Sequence, residues 1–325
     1  MGKLQVSLAC WDYDRTRGLL DGSIKAEGLE IIPICLPPEE AFWRQVRHKE
    51  FDVSEMSLSY YTLFRSRGED DFIAIPVFVS RIFRHSCIYI STKAGIEKPQ
   101  DLKGKKLGLP AYQMTATVWM RGLLHHEYGV APTDVEWFYS REEIFSWNPP
   151  LELKVQRIPA GATLDEMLQA GEIAALLTAR KPPSFAAGSP KVKRLFPNFK
   201  EEEIAYYKKT KIFPIMHTIV IKREIYHKHP WIAQSLFNAF IQAKEKCYQE
   251  MNEAAVLKYT LPWLLSEVEE EKAILGEDFW PYGIEPNRPT LEALVQYSHE
   301  QGLAVRLVKL EELFAPETFD QYSLW

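Results

Sequence analysis

Apolar and polar residues alternate from the start of the chain. Leu4, Val6 and Leu8 are separated by Gln5 and Ser7, the period-two pattern of a half-buried strand, so Leu4–Ala9 reads as the first strand. Leu29–Ile34 and Ile73–Phe78 read as further strands, and Phe51–Met56 as a short buried one. Pro37-Pro38-Glu39-Glu40 opens a helix running to about His48. Proline suits a first helical turn, and the two acids lie at the positive end of the helix dipole. A second helix begins at Ser57 and ends near Arg67-Gly68. Strands alternating with helices predict an α/β sheet with right-handed crossovers.

The same reading continues downstream. Ser86–Ser91 is extended and apolar. Asp101–Pro110 reads as a turn, a glycine bend and a strand that stops at proline, followed by a helix from about Met114 to Gly129. Val135–Phe138 and Ile173–Thr178 are strand-like. Thr163 and Glu166 form a capping box at the start of the helix between them. Residues 181–211 are rich in Pro, Lys and Gly and read as a connecting loop with a short helix. Phe213–Ile221 is strand-like again, and Pro230–Tyr248 is a long amphipathic helix. The remainder reads as mostly helical and acidic, and no internal repeat is visible.

A chain of 325 residues exceeds one ordinary core and predicts two lobes. Its formal net charge of −5 makes it a poor general binder of nucleic acid. No segment approaches the ~20 apolar residues of a membrane span. The apolar stretch ahead of Asp12 is too short for a signal peptide, which favours a cytoplasmic location. Cys10, Cys35, Cys87 and Cys247 form no CxxC pair and read as free thiols in a reducing compartment. Nucleotide-binding, serine-hydrolase and zinc-protease motifs (GxGxxG, GxxxxGK[ST], GxSxG, HExxH) are absent.

One imbalance directs attention to the N-terminal quarter. Residues 1–90 hold eight Arg against three Lys, whereas the rest of the chain holds eight Arg against twenty Lys. Arginine is preferred where a planar fork must grip a carboxylate or phosphate. Arg44, Arg47, Arg65 and Arg67 fall on helices and read as surface residues. Arg15, Arg17, Arg81 and Arg84 fall beside strand ends, where ligands of open α/β sheets bind. Asp12 and Asp14 share the first of these turns and offer Arg15 and Arg17 an alternative as ion-pair partners. Ser57 and Ser59 follow a strand, with helix capping as their ordinary role. Tyr112, Gln113 and Thr115 open a helix whose free N–H groups favour an anion. Arg180 ends a strand, His85 adjoins an extended run, and His217 lies within one. Together these groups suit a small dianion.

The segment DLKGKKLGLP (101–110), with its following helix ending in YGV, resembles the second lobe of periplasmic-type solute-binding proteins for nitrate, sulfonates and thiamine precursors. ACWDYDRTRGLLDG (9–22), PPEEAFWRQVRHKEFDVSEMSLSYY (37–61), AIPVFVSRIFRHSCIYI (74–90), PAYQMTATVW (110–119) and IFPIMHTIVI (212–221) resemble the 4,5-dihydroxyphthalate decarboxylase family, over most of the chain to about residue 250. The resemblance implies a two-lobed periplasmic-binding-protein-like type II α/β fold with a central ligand cleft. Lobe I would comprise 1–85 and 219–325 and lobe II 86–218, with crossover strands near 86–91 and 213–221. It also implies a cytoplasmic enzyme that takes one carboxylate from 4,5-dihydroxyphthalate to give protocatechuate.

In that substrate each carboxylate is para to a hydroxyl. Deprotonating the hydroxyl pushes electrons to the ring carbon that must accept a proton. No organic cofactor and no metal is then required, only a base, an acid and cations to orient the carboxylates. Histidine serves either role near neutral pH, so His85 and His217 are the expected acid–base pair, in an order left open. Asp12, Asp14, Arg15, Arg17, Ser57, Ser59, Arg81, Arg84, Tyr112, Gln113, Thr115 and Arg180 are the expected substrate contacts. A metal held by Asp12, Asp14, Glu55 and a histidine is the lesser alternative. The competing function is a non-catalytic receptor for a small organic anion, serving a transporter or acting as a sensor. Trp231, Trp263, Trp280 and Trp325 offer apolar surface for self-association or for packing within a lobe.

Overall fold

The computed structural model describes residues 2–319. In chain order the first part comprises β1 (Leu4–Ala9), α1 (Arg17–Leu20), β2 (Leu29–Ile34), α2 (Pro38–His48), β3 (Val53–Ser57), α3 (Leu58–Ser66) and β4 (Phe72–Arg81). The second comprises β5 (Ile88–Ser91), β6 (Lys106–Leu109), α4 (Thr115–Tyr128), β7 (Glu136–Tyr139), β8 (Lys154–Arg157), α5 (Leu164–Ala170), β9 (Ala175–Leu177), α6 (Pro183–Ala186), β10 (Val192–Arg194) and α7 (Phe199–Thr210). The chain then forms β11 (Ile215–Lys222), α8 (Arg223–Lys228), α9 (Trp231–Met251), α10 (Leu264–Leu275), α11 (Arg288–Glu300) and α12 (Leu310–Leu313).

Two sheets result. The first has the order β2-β1-β3-β11-β4, and the second β10-β5-β9-β6-β7-β8. In the first, β1 runs parallel to β2 and β3, while β11 is antiparallel to β3 and β4. In the second, β6 runs parallel to β7 and β9, and β5 is antiparallel to β9 and β10. The chain leaves the first sheet after Arg81 and returns to it at Ile215, so the second lobe is inserted between neighbouring strands of the first. Among the described residues no helix is long and apolar enough to cross a membrane.

Residues 181–211 are more ordered than their Pro- and Lys-rich composition suggests. They contribute α6, the edge strand β10 and the twelve-residue α7. Glu201 and Glu202 in the first turn of α7, and Lys208 and Lys209 in its last, complement the helix dipole.

The register between β4 and β11 slips on both sides of His217. Pro76 lies inside β4 and has no N–H to give to a ladder, and proline within a sheet is tolerated only at edges and irregularities. The slip leaves β4 carbonyls for other donors. Ile75 accepts from the Thr218 hydroxyl at 3.0 Å, Pro76 from Gly283 N–H at 2.8 Å, and Phe78 from Trp280 Nε1 at 2.8 Å. Val79 accepts from the Arg15 guanidinium, with Nε at 2.9 Å. The C-terminal segment is thereby docked on the strand beside His217. Trp280 is used in this packing, Trp231 and Trp263 are exposed, and Trp325 lies outside the described residues.

The two lobes are also clasped by α11, which packs against both α3 and α4. The close approach depends on Gly122, because a Cβ there would lie 2.0 Å from Tyr297 Cδ2 and 2.6 Å from its Cγ. Gly122→Ala should therefore lower stability by ~1–3 kcal/mol through overpacking. The check is the thermal midpoint, and an unchanged midpoint would contradict the close packing described.

Candidate active site

The first lobe places one buried carboxylate in the middle of β3. Glu55 is 0% exposed. Its Oε2 accepts from Trp11 N–H at 3.0 Å, and its Oε1 accepts from the Tyr13 hydroxyl and from His217 Nδ1, both at 2.6 Å. Burial alone would raise the Glu55 pKa. The His217 hydrogen bond and charge, with the Tyr13 and Trp11 donors, outweigh burial and hold it below the ordinary value. An ionised carboxylate only accepts, so the proton of this contact is on Nδ1 and the opposite nitrogen, Nε2, is left for other chemistry. Burial, and then the charge of Glu55, push the Tyr13 phenol far up, so it stays a donor.

His217 reaches this position because β11 lies between β3 and β4, with His217 opposite Ser57. Its side chain is 18% exposed, unlike that of Glu55. The edge of Phe42 meets its ring at 4.8 Å between centroids, and Tyr60 follows at 6.4 Å from Phe42. These side chains form an aromatic wall beside the imidazole.

The second lobe meets the first here through hydroxyls. Thr115, at the start of α4, lies 2.7 Å from Ser57 Oγ and 2.9 Å from Ser59 Oγ, and accepts from Ser59 N–H at 3.1 Å. Ser59 Oγ donates to the Gln113 carbonyl at 2.6 Å. The N–H groups of Tyr112 and Gln113 are already occupied by an anion, the carboxylate of Glu143, at 2.5 and 3.1 Å. Burial raises the Glu143 pKa against the pull of those two donors. The Gln113 amide in turn grips the Phe145 backbone, donating at 2.8 Å and accepting at 3.2 Å. Beneath this junction Arg121, 1% exposed, donates to the Tyr112 carbonyl at 2.7 Å and lies 3.6 Å from the centre of the Tyr112 ring. Burial lowers its pKa to about 10, leaving it cationic at neutral pH.

The expected arginines fall into three groups. Arg15 donates to Asp14 at 2.9 Å and is held between the rings of Tyr13 and Trp280, at 4.4 and 4.1 Å. Arg17 pairs with Asp12 on the surface, so both arginines have the local carboxylate partners that the sequence offered them. Arg81 and Arg84 are buried where the chain passes between lobes. Arg81 donates to the carbonyls of Phe213 and Pro281 at 2.9 and 3.2 Å, and Arg84 to Cys87 Sγ at 3.6 Å. Arg180 is exposed and reaches across to Glu39 on α2 at 2.6 Å. Asp12, Asp14 and Glu55 thus have separate partners and do not gather as a metal set.

His85 does not join His217. It is 2% exposed, in a cage of Phe196, Tyr206 and Tyr128 with centroids 5.2, 5.4 and 6.5 Å away. Tyr128 ends α4, whereas Thr115 begins it, a separation of about 20 Å along the helix at 1.5 Å per residue. Burial lowers the His85 pKa to about 4, and its Nδ1 stands 3.9 Å from Glu203, beyond hydrogen-bond reach. His85→Phe should therefore keep turnover within about threefold, where loss of an essential acid costs about 10²–10⁴-fold. Steady-state assay decides it, and a loss of that size with the fold intact would restore His85 to the chemistry.

Sequence reasoning placed Glu55 at a strand end and as a metal candidate, took Tyr13 only as part of the turn after the first strand, and passed over Glu143 and Arg121. The visible signal for Glu55 was a carboxylate inside a run that reads as a short buried strand, Phe51–Met56.

No family model matches the chain. A curated 4,5-dihydroxyphthalate decarboxylase from Comamonas testosteroni is 36% identical over 330 residues, covering 100% of both chains. One from Pseudomonas putida is 41% identical over 202 residues, covering 60% of this chain and 78% of its own. Among solved structures, the periplasmic aliphatic sulphonate binding protein SsuA from Escherichia coli aligns with a TM-score of 0.51 at 13% identity, covering 99% of this chain and 100% of its own. The desulfurization enzyme DSZB aligns with a TM-score of 0.53 at 14% identity, covering 97% of both chains. The two-lobed α/β fold is thus that of the periplasmic binding proteins. An enzyme and a binding protein share it, so the fold alone does not decide between catalysis and capture.

Proposed function

The chain belongs to the 4,5-dihydroxyphthalate decarboxylase family, and from that premise we propose that it removes one carboxylate from 4,5-dihydroxyphthalate at the lobe junction around Glu55 and His217. The observation that carries the placement is the buried carboxylate–imidazole pair, with its imidazole at an aromatic wall. An arene cannot easily release CO₂ to leave a bare carbanion. Protonating the ring carbon first removes that barrier. Electrons from the para oxygen support the protonated ring, and loss of CO₂ returns them to the oxygen. The overall change takes up one proton and replaces one carboxylate by hydrogen, giving 3,4-dihydroxybenzoate.

His217 is assigned as the acid, delivering its proton from Nε2. Glu55 fixes the ring orientation and its tautomer through Nδ1. Phe42 and Tyr60 would flank the substrate ring. The N–H groups of Tyr112 and Gln113 would hold one substrate carboxylate once Glu143 withdraws, with the Arg121 charge below them. Arg180, released from Glu39, and Arg141 would face the other. Arg141 is near enough for its charge to act on the Tyr60 phenol, behind the larger effects of burial and Glu143.

Glu143→Ala removes the internal competitor for those N–H groups. It should lower KM by about tenfold, the worth of a charge-assisted hydrogen bond to an anion. A raised KM would instead make Glu143 a clamp that the site needs. The test of the function is CO₂ release from 4,5-dihydroxyphthalate beside a panel of hydroxybenzoates. Tight binding across the panel without turnover would return the chain to the receptor reading.

A further inference from the structure

Away from the lobe junction, three side chains converge where α11 crosses α4. His126 Nε2 lies 2.7 Å from Glu300 Oε2, and His125 Nδ1 lies 3.9 Å from the same oxygen. One ligand atom from each of the three residues falls within 4.8 Å of the others, the one such gathering of His, Cys, Asp or Glu among the described residues. We propose that His125, His126 and Glu300 bind a borderline divalent transition-metal ion of the Zn²⁺ class, which staples α11 to the second lobe.

The chemistry of the set selects the ion. Two imidazoles and one carboxylate suit Zn²⁺, whereas Mg²⁺ and Ca²⁺ require mostly oxygen ligands. Three protein ligands leave a position for water. All three side chains are between 29% and 39% exposed, so the ion can enter from solvent.

The surroundings hold the ligands in place. Gln296 donates to Glu300 Oε1 at 2.6 Å, which turns the other oxygen towards the imidazoles. The His126 ring is stacked on Tyr297, with centroids 4.6 Å apart and an interplanar angle of 24°. Tyr297 is itself pressed against Gly122, so the helix crossing has little freedom. Outer contacts of this kind typically change metal affinity by about 10–100-fold. Without an ion, the same groups make only ordinary pairs between neighbouring helices.

The experiment is calorimetric titration of the chelator-stripped full-length protein with ZnCl₂, with MgCl₂ as control and thermal melts in parallel. The expected result is saturable Zn²⁺ binding at one ion per chain, a raised melting point and no Mg²⁺ binding. His126→Ala and Glu300→Gln should each weaken binding by tenfold or more, and Gln296→Leu by about tenfold. His217→Ala, at the separate Glu55 pair, should leave the titration unchanged. Failure to saturate by about 1 mM, or equal affinity in His126→Ala and Glu300→Gln, would overturn the site. Mg²⁺ binding as tight as Zn²⁺ would overturn its chemical class.

Discussion

Replacing His217 by alanine should lower kcat on 4,5-dihydroxyphthalate by about 10²–10⁴-fold, the usual contribution of a positioned general acid. KM should change little, because the groups assigned to the carboxylates lie elsewhere, on the backbone of Tyr112 and Gln113 and on arginine side chains. The fold should survive. His217 is partly exposed and its flanking strand contacts are backbone pairs, so its loss takes one donor from Glu55 Oε1, which water can replace while the Tyr13 hydroxyl and Trp11 N–H stay in place. The measurement is steady-state CO₂ release at saturating substrate. Partial recovery with added imidazole would support proton transfer specifically, and near-normal turnover would rule His217 out as the acid.

Glu55→Gln should be of comparable size, again about 10²–10⁴-fold in kcat, as when a histidine loses the carboxylate that fixes its tautomer. The carboxylate accepts from three donors at once. A glutamine has one acceptor oxygen and an NH₂ group, so a donor must turn away or the imidazole must move its proton to Nε2. Either outcome spoils the acid. A buried donor left unsatisfied also costs about 1–3 kcal/mol, so the thermal midpoint should fall as well. Glu55→Asp separates these effects by keeping the charge while shortening the reach. It should recover stability more than rate. Glu55→Gln with turnover within about threefold of wild type would remove Glu55 from the mechanism.

The parts legible in the sequence were those with local causes. Period-two alternation placed β1 at its observed bounds, the strand read at Leu29–Ile34 is β2 as observed, and the Pro-Pro-Glu-Glu run placed α2 within a residue. The pairs Arg15–Asp14 and Arg17–Asp12 span one and five residues and stood open as alternatives from the start. Glu55 was harder, because its partners lie 42 to 162 residues away and only the sheet order brings them together. Its neighbours Ser57 and Ser59 read as substrate contacts, with helix capping as their ordinary alternative, and their hydroxyls face Thr115 across the lobe junction. His85 was ambiguous for a related reason. The side chains that enclose it include Phe196 and Tyr206, from a stretch whose Pro and Lys content hid β10 and α7. The Glu143 carboxylate on the Tyr112 and Gln113 N–H groups carries no local signature at all. Free N–H groups expected at a helix start favoured an anion there, but Tyr112 and Gln113 fall just before α4 and the chain supplies the anion itself.

The insertion of the second lobe between β4 and β11 has a consequence for the order in which the protein is made. A growing chain can pair β1 with β2 and β3 early, because those contacts are near in sequence. The strand that carries His217 emerges only after the whole second lobe. Until then β3 and β4 lack the neighbour that lies between them, and Glu55 lacks its imidazole. Contacts spanning such long stretches close slowly, and unpaired strand edges are exposed in the interval. The Glu55–His217 pair is therefore a late product of folding, and partly synthesised chains carry four of the first sheet's five strands without it.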